Sequence, residues 1–573
     1  MSQKSFHIGL CMAGAVSAGA YTAGVMDYLM EALAEWEKRR GQPGVPTHRV
    51  QISVIGGASA GGMTGIITAG AINRPFVPVP VPEPEALLKE HPENPFYHSW
   101  VDLLGEDMFR QMLDLSDIRR EGKVTAVLNS DFIDAIAARV IRSNPSDWVP
   151  APPYIAEPLK LFTTLTNLEG IRYNIAFRSE LLESRHNMTM HSDFACFHLN
   201  ETAYGQKGWM PLHFKTGLNV SLARDAAIAT GAFPIGLKSR ILNRTKAVVM
   251  QNSWINYTDT APDETDQTAY TTQNVDGGLM NNEPFEKVKQ LLNEEAQQFL
   301  GKEQEDYRRF RTAVLMIDPF PGEAPRTFKI NQELLPTLQY LFYAITQQLR
   351  AKPSALIDAM SGEKAGQYLI APTRPVRSGS AAGTKIDGSK AIACGAMDGF
   401  SGFMHKEFRI HDYYLGRYNC EMFLRNHFTI PAEHLDAHPV FGEGYALADR
   451  DRFRSFRKDA YQIIPIFSTY EPGYYPMPVF RSGTQWPMVE EKIIERYTGA
   501  IRKRVEGVIM NAVPMSRFRR FLLYIGCQVL FNKAITQRIA KLMRASLYKH
   551  GLISSANNAA PDTGNGMHKK TSS

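Results

Sequence analysis

The stretch Val50–Gly62, VQISVIGGASAGG, decides the fold of this 573-residue chain. Its first six residues are mostly apolar and β-branched, which predicts a buried strand, and the run 63–72 after it predicts a helix. Ser59 stands between them with Gly57 before it and Gly61 after it, in the G-x-S-x-G spacing of a nucleophile elbow. Such a turn needs small flanking residues, and it leaves the serine hydroxyl at a helix N-terminus, where N–H groups favour negative charge. We therefore predict a catalytic serine; the alternative is a plain glycine-rich connection.

The composition is that of an ordinary globular chain with a large core. Hydrophobic residues make up 44% and charged residues 21% of the sequence, which is a usual balance for globular proteins. None of the five cysteines forms a C-x-x-C pair. This spacing argues against a disulfide framework and against a structural zinc site, and it favours a reducing compartment. No set of metal ligands is evident, so we expect no metal.

The N-terminal run 8–33 is apolar but lacks the layout of a signal peptide. Only Lys4 is basic ahead of it, and Asp27 and Glu31 lie within it, whereas a signal peptide needs a basic region and then a clean apolar one. No other stretch reaches the about 18 apolar residues of a spanning helix. The expected location is cytoplasmic, either free or peripheral on the inner face of the membrane.

Strand and helix signals alternate through the first 74 residues, which predicts a parallel sheet covered on both faces. We expect this α/β unit to span residues 1–325 as the catalytic domain, with further strands at 159–167 and 313–318. An insertion at 74–120 begins with a proline-rich spacer and continues as a helical segment. That segment is either a lid or a surface excursion packed on the core. Residues 326–550 are predicted to be mostly helical, and 551–573 are predicted to be a disordered tail.

A carboxylate partner for the serine is predicted at Asp276. The next two residues, Gly277 and Gly278, place this carboxylate on a tight turn with little steric cover. An ordinary Asp-Gly turn is the alternative, and two such pairs recur later in the chain. Asp276 differs from both by its second glycine and by the Asn-Asn-x-Pro that follows.

Taken in order, these motifs resemble those of the patatin-like phospholipases, in particular a bacterial patatin-related branch. That family has a glycine-rich turn near its N-terminus, then G-x-S-x-G, then Asp-Gly-Gly or Asp-Gly-Ala. The segments 14–19, 57–61 and 276–278 match this order, and the likeness covers roughly residues 5–320. It implies a three-layer α/β/α hydrolase with a mainly parallel central sheet, which acts on lipid esters with a Ser–Asp dyad.

The resemblance also implies a role for each matching residue. Ser59 is the expected nucleophile and Asp276 the expected base, which takes the hydroxyl proton and later activates water. The backbone N–H groups of Gly14, Ala15 and Val16 are the expected oxyanion hole. This reaction needs no cofactor, and its substrate surface is a phospholipid membrane.

The turn GAVSAG at 14–19 departs from the family pattern of three glycines followed by x-Arg/Lys-Gly. Ala15 and Val16 stand in place of glycines, and Ala18 stands in place of the basic residue. A β-branched residue tolerates positive φ poorly, so we expect either a less strained turn or N–H groups that point differently. The departure keeps a second hypothesis open, a catalytically weak patatin-fold module that binds a membrane or a partner.

A Ser–Asp–His triad is a further alternative, because an α/β-hydrolase places its histidine downstream of the serine. The serine lies very early in the chain for that fold. The candidate histidines are His405, His411, His427, His434 and His438.

The positive charge of the chain is concentrated near its C-terminus. Residues 507–550 carry eight basic side chains and no acidic one. Within them, a basic amphipathic helix is predicted over 533–549, which suits an anionic membrane surface. Alternatively, its apolar face packs on the protein. No motif supports nucleic-acid binding, and the oligomeric state is not predicted. The apolar positions of this helix are Ile535, Ile539, Leu542, Met543 and Leu547.

A second C-terminal helix is predicted within 405–428. Tyr414, Tyr418 and Met422 follow helical spacing, and Arg417 and Glu421 are placed for an i,i+4 ion pair. We interpret this helix as docked on the hydrolase core, with a gating role as the alternative.

Overall fold

The structure is a computed structural model that describes most of the chain. The tail beyond residue 554 and most of the region 322–363 lie outside the described residues, and so do the predictions made for them. The described residues are 5–143, 145–176, 185–255, 266–296, 305–321, several positions between 330 and 344, 364–376, 383–471, 473–512 and 532–554.

A nine-stranded sheet is the centre of the described fold. Five strands run parallel in the order β3-β2-β1-β8-β9. Strands β4 and β7 both pair antiparallel with β3. Strand β5 pairs parallel with β4, and β6 pairs antiparallel with β7. The predicted mainly parallel sheet is confirmed. The strands are β1 (Ser5–Met12), β2 (Arg49–Gly57), β3 (Ile155–Ala176), β4 (Arg185–Leu199), β5 (Met210–Leu212), β6 (Arg240–Thr245), β7 (Ala269–Asp276), β8 (Thr312–Ile317) and β9 (Gln367–Ile370).

The central strand β1 shows why helices cover both faces of the sheet. Alternate residues of a strand point to opposite faces, and every residue of β1 is buried. Ile8 and Leu10 belong to the core formed with helices α1 (Gly19–Arg39) and α2 (Ser59–Ile72). Cys11 packs instead with the apolar residues of the helix Phe285–Ala296. The fold is therefore the three-layer α/β/α arrangement that the resemblance implies.

Further helices surround this core. They are Met108–Met112, Ser116–Glu121, Asp131–Val140, Val220–Thr230, Lys246–Met250, Lys406–Asn426, Lys492–Asn511 and Asn532–Lys549. The insertion contributes the short helical turns Pro95–Tyr97 and His98–Asp102. Phe96 and Val101 on these turns are fully buried, so this part of the insertion packs into the core.

The boundary predicted at residue 325 does not separate two packing units. Strand β9 lies beyond it and pairs in parallel with β8. The region predicted to be mostly helical also takes part in three two-stranded sheets, and one of them uses Ile553–Ser554 from the predicted tail. Runs of two to four residues are too short to show a hydrophobic period, so the sequence pattern does not reveal such strands.

The helix Lys406–Asn426 is confirmed, but its predicted ion pair is wrong. Arg417 pairs with Asp27 and Glu31 of α1, while Glu421 pairs with Arg425. Asp27 is fully buried, and a buried carboxylate requires a partner. The tertiary contact therefore replaces the local pair.

Two glycines let this helix lie against α1 at backbone distance. A Cβ atom at Gly24 would overlap the carbonyl oxygen of Tyr413, and one at Gly416 would overlap that of Tyr21. No side chain fits at either position unless the helices separate. The pairing thus joins the C-terminal half of the chain to the first helix of the hydrolase core.

We expect Gly24→Ala to lower the free energy of unfolding by about 3 kcal/mol, because the added methyl group forces apart two packed backbones. Gly499→Ala is the matched control, since Gly499 also lies inside a helix but has no atom near its Cβ position. Alanine is the better helix former, so the control should gain up to about 1 kcal/mol. Chemical denaturation followed by circular dichroism measures both, and equal effects would contradict the close contact.

Candidate active site

Ser59 lies on a strained turn between β2 and α2. Its φ is +50°, a left-handed conformation that costs a residue other than glycine about 1–3 kcal/mol. Its N–H donates to Thr230 Oγ1 at 2.9 Å, which helps to hold this conformation. A Cβ atom at Gly61 would overlap the carbonyl oxygen of Met12, so the turn packs against β1, and Gly57 ends β2 on the other side of the serine. This is the local geometry that the G-x-S-x-G spacing predicts.

Strand β7 delivers Asp276 to the same place from a distant part of the chain. The strand pairs antiparallel with β3, with Asp276 opposite Leu165. The Asp276 N–H donates to the Ala232 carbonyl at 2.9 Å, and Thr166 Oγ1 donates to the Asp276 carbonyl at 2.8 Å. The backbone of the aspartate is therefore fixed on both sides.

The two predicted residues meet directly. Ser59 Oγ donates to Asp276 Oδ2 at 2.6 Å, and the Gly278 N–H donates to Oδ1 at 2.7 Å. The side chain of the serine and that of the aspartate are both buried. Gly277 allows this turn to pass the backbone of Thr164, because a Cβ atom there would overlap the carbonyl oxygen.

Burial sets the proton affinity of the aspartate. Removal from water raises the pKa of Asp276 from its ordinary value of 3.8 to about 6, and the hydrogen bonds from Ser59 and Gly278 offset part of this rise. Desolvation disfavours the charged form of a carboxyl group, whereas donors to that form favour it. The carboxyl group is thus poised to hold and release a proton near neutral pH.

We expect ester hydrolysis to fall about tenfold per pH unit below pH 6 and to level off above it, because only the ionised Asp276 can accept a proton. The midpoint of kcat/KM should lie near the pKa of about 6. A pH-stat assay with an uncharged short-chain ester measures this profile. Activity that is constant down to pH 4 would contradict a carboxyl group with a raised pKa as the base.

The predicted oxyanion turn lies beside the serine. A Cβ atom at Gly14 would approach the Cβ of Ser59 to 2.9 Å, and Val16 lines the same pocket as Ser59. Val16 has a φ of +49°, so the first of the two expected alternatives, a less strained turn, is wrong. Ala15 supports the turn through its carbonyl, which accepts from the Ala18 N–H at 2.9 Å.

An apolar pocket opens over the buried pair. It encloses about 720 Å³ of empty space, including solvent at its mouth. Apart from the Ser59–Asp276 pair, Ser99 and the indole N–H of Trp100, its walls are apolar, which is the character of a site for a hydrocarbon chain. The lining residues are Val16, Ser59, Ala60, Met63, Ile67, Ser99, Trp100, Leu104, Phe132, Ile133, Ile136, Gly231, Phe233, Leu237, Asp276, Phe400 and Phe403.

Several of these walls were not predicted from the sequence. Trp100 and Leu104 come from the insertion, so the insertion borders the pocket as well as packing on the core. The helix Asp131–Val140 was missed, although Phe132, Ile136 and Val140 follow a four-residue spacing that indicates a helix. Phe400 comes from the C-terminal half, and no local signal in the sequence places it here. Thr230 was also missed as the partner of the Ser59 N–H.

The histidine alternative does not fit the geometry. Among the described residues, the hydrogen bonds of Ser59 and Asp276 join them to each other, to Thr230, to Thr166 and to backbone groups. The five candidate histidines contact other groups: His405 caps its helix, His411 meets Asp412, His427 stacks on Phe423, His434 pairs with Glu433, and His438 meets the Phe310 carbonyl.

The described part of the chain contains neither a cluster of metal ligands nor a membrane-spanning helix. No group of three or more His, Cys, Asp or Glu side chains there is arranged to hold a metal ion. Within the same ranges, no helix combines the length and the apolar character that crossing a bilayer requires.

A buried serine–carboxylate pair that lines an apolar pocket, on a three-layer α/β/α fold, defines a class of hydrolases. The family model of the patatin-like phospholipases matches residues 10–289, and the chain belongs to this family. Membership indicates lipid acyl hydrolysis in general. The chain is also similar to the uncharacterized protein y4iI of Sinorhizobium fredii (strain NBRC 101917 / NGR234), with 30% identity over 582 residues that cover 92% of this chain and 80% of that protein.

Proposed function

We propose that this protein is a serine lipid acyl hydrolase of the phospholipase A type, which cleaves ester bonds of membrane lipids through an acyl-enzyme on Ser59. The observation that carries the proposal is the 2.6 Å hydrogen bond from Ser59 Oγ to Asp276 Oδ2. A serine needs an adjacent base to become a nucleophile. Asp276 is that base, with a pKa raised to about 6 by burial.

The reaction proceeds in two halves. Asp276 takes the hydroxyl proton as Ser59 Oγ attacks the ester carbonyl carbon, and it returns that proton to the departing alcohol as the carbon–oxygen bond breaks. Asp276 then takes a proton from water, whose oxygen attacks the acyl-enzyme. Release of the fatty acid returns a proton to Ser59. Backbone N–H groups at 14–16 face the developing oxyanion, and such a donor contributes about 3–4 kcal/mol.

The pocket supports a lipid substrate over a small polar ester. Its apolar walls match an acyl chain, and the Ser59–Asp276 pair is part of its lining. Burial of apolar surface contributes roughly 25 cal/mol per Å², so a long chain gains more from this pocket than a short one. The proposal therefore includes a preference for long acyl chains.

The proposal includes membrane attachment through the helix Asn532–Lys549. Only the outer face of this helix would contact the membrane. Met543 and Leu547 are buried against the protein, so part of the predicted apolar stripe packs inward. Leu542 is 63% exposed, and Arg538 and Lys541 beside it are exposed as well. A basic face with one projecting apolar side chain supports contact with an anionic bilayer.

A labelling experiment with vesicles tests the proposal. Purified protein is treated with a fluorophosphonate probe, and peptide mass spectrometry locates the adduct, which should lie on Ser59. In parallel, phosphatidylglycerol vesicles should yield free fatty acid and lysolipid in equal amounts. Pre-treatment with the probe should abolish this release.

The catalytically weak module makes a different prediction in the same experiment. It would leave Ser59 unlabelled and the lipids intact, while the protein still sediments with the vesicles. Val16 in a left-handed conformation is the observation that favours this second candidate.

A further inference from the structure

A segment from the C-terminal half of the chain touches the backbone of the oxyanion turn. We call this segment, residues 393–403, the brace. Ser17 Oγ donates to the Gly399 carbonyl, and it accepts from the Gly402 N–H at 3.1 Å. Ser17 is fully buried. The Ser17 hydroxyl therefore donates one hydrogen bond and accepts another, and both join the oxyanion turn to the brace.

The brace itself is held at both ends by the helix Lys406–Asn426. Asp412 accepts from the N–H groups of Ala393 and Cys394 at 2.7 and 2.9 Å. Arg409 donates to the Gly402 carbonyl. Both charged side chains are fully buried, so breaking either contact would leave an uncompensated polar group. The brace is therefore a fixed support and not a loose loop.

Three successive residues in the left-handed region shape the brace where it meets the turn. Met397, Asp398 and Gly399 have φ values of +56°, +52° and +95°. The N–H of Met397 donates to Ser546 Oγ at 2.8 Å, which holds the first of them. This conformation presents the Gly399 carbonyl to Ser17, and a Cβ atom at Gly399 would come within 3.0 Å of the Cβ of Val16.

Val16 needs such a support. Its φ of +49° is a conformation that glycine adopts freely and that a β-branched residue adopts only when its surroundings impose it. We propose that Ser17, seated on the brace, is a positioning residue that holds the N–H groups of the oxyanion turn toward Ser59. This inference rests on the proposed function, and it assigns part of the active-site geometry to the C-terminal half of the chain.

Ser17→Ala tests the proposal, with Ser53→Ala as the matched control. Ser53 is also a buried serine, and its Oγ lies 2.8 Å from His7 Nδ1, but it belongs to strand β2 and to neither the brace nor the oxyanion turn. We expect Ser17→Ala to lower kcat about 10-fold to 100-fold with little change in KM, because oxyanion donors act on the transition state. Ser53→Ala should stay within about threefold of wild type in both parameters, on the same short-chain ester.

A second substitution separates positioning from stability. Adding Val16→Gly to Ser17→Ala should recover part of kcat, since glycine reaches the required φ without support. A purely structural role for Ser17 would leave the double variant as slow as the single one, or slower. Equal kcat losses in Ser17→Ala and Ser53→Ala would also overturn the proposal.

Hydrogen exchange measures how firmly the oxyanion turn is held, and it does not depend on catalysis. In mass spectrometry of the full chain, Ser17→Ala should speed exchange in peptides covering 13–19, and Ser53→Ala should not. If wild type hydrolyses no ester, the proposed function fails, and this exchange result alone decides whether the brace holds the turn. If wild type is active but exchange and kcat of Ser17→Ala match the control, the brace proposal fails and the proposed function stands.

Discussion

Ser59→Ala should abolish measurable ester hydrolysis, with a fall in kcat of at least about 10⁴-fold. The alanine side chain has no oxygen to form the acyl-enzyme. Among the described residues, no other hydroxyl donates to the carboxylate of Asp276, whose Oδ2 accepts from Ser59 at 2.6 Å. Loss of a serine nucleophile alone removes nearly all the catalysis of such a site, because its members act as a unit. Release of fatty acid from vesicles and hydrolysis of a p-nitrophenyl ester both measure the effect.

The control is Ser53→Ala on β2, the strand that precedes Ser59. Ser53 is buried and its Oγ lies 2.8 Å from His7 Nδ1, so this variant also loses one buried serine hydroxyl. Its activity per folded molecule should equal that of wild type. Equal rates for wild type and Ser59→Ala would show that Ser59 is not the nucleophile.

Asp276→Asn should reduce kcat about 10⁴-fold, since replacing an essential carboxylate by its amide has an effect of this size in other serine hydrolases. The amide keeps the shape of the side chain but cannot accept a proton from Ser59. Labelling of Ser59 by a fluorophosphonate should slow in parallel, because it depends on the same activation. The residual rate should also lose the dependence on a group with a pKa near 6.

The matched control for the aspartate is Asp387→Asn. Asp387 also precedes a glycine, but it is exposed, and its Oδ1 accepts from Thr373 at 2.8 Å. This variant should be as active as wild type. An active Asp276→Asn variant would show that the base lies elsewhere.

The stability of Asp276→Asn relative to wild type is a further check, because linkage fixes the direction of the expected difference. Burial raises the pKa of Asp276 from 3.8 to about 6 in the folded chain, so the folded state binds the proton more tightly than the unfolded one. By linkage, the aspartate lowers stability as pH rises from about 4 to about 6, and the loss persists above that range. The asparagine variant should therefore be at least as stable as wild type at pH 8 while almost inactive, which separates loss of chemistry from loss of fold.

The elbow and the Asp-Gly-Gly turn were predictable from the sequence because their signals are local. A strand, a serine between glycines and a helix occupy adjacent residues, and Ser59 indeed lies on a strained turn with φ +50°. The turn at Gly277 is set by neighbouring residues as well. In each case steric exclusion at one or two positions dictates the backbone.

The walls of the pocket were not predictable in the same way. Phe400 lines the same pocket as Ser59 although it lies in the C-terminal half, which packs on α1 at Gly24. A less strained turn was one of two alternatives expected at Val16, yet its φ is +49°, and the neighbouring Ser17 bonds to the brace. Both outcomes depend on contacts between residues more than 350 positions apart, which local propensity does not describe.

The sequence by itself therefore determined the three-layer core, the serine on its elbow and the aspartate that faces it. These features follow from short-range rules, namely hydrophobic alternation, turn sterics and the order of the motifs. Only the tertiary structure decided that the C-terminal half completes the pocket and supports the oxyanion turn. The physical reason is that a fully buried hydroxyl such as that of Ser17 takes whichever partners the packed fold brings to it, here Gly399 and Gly402.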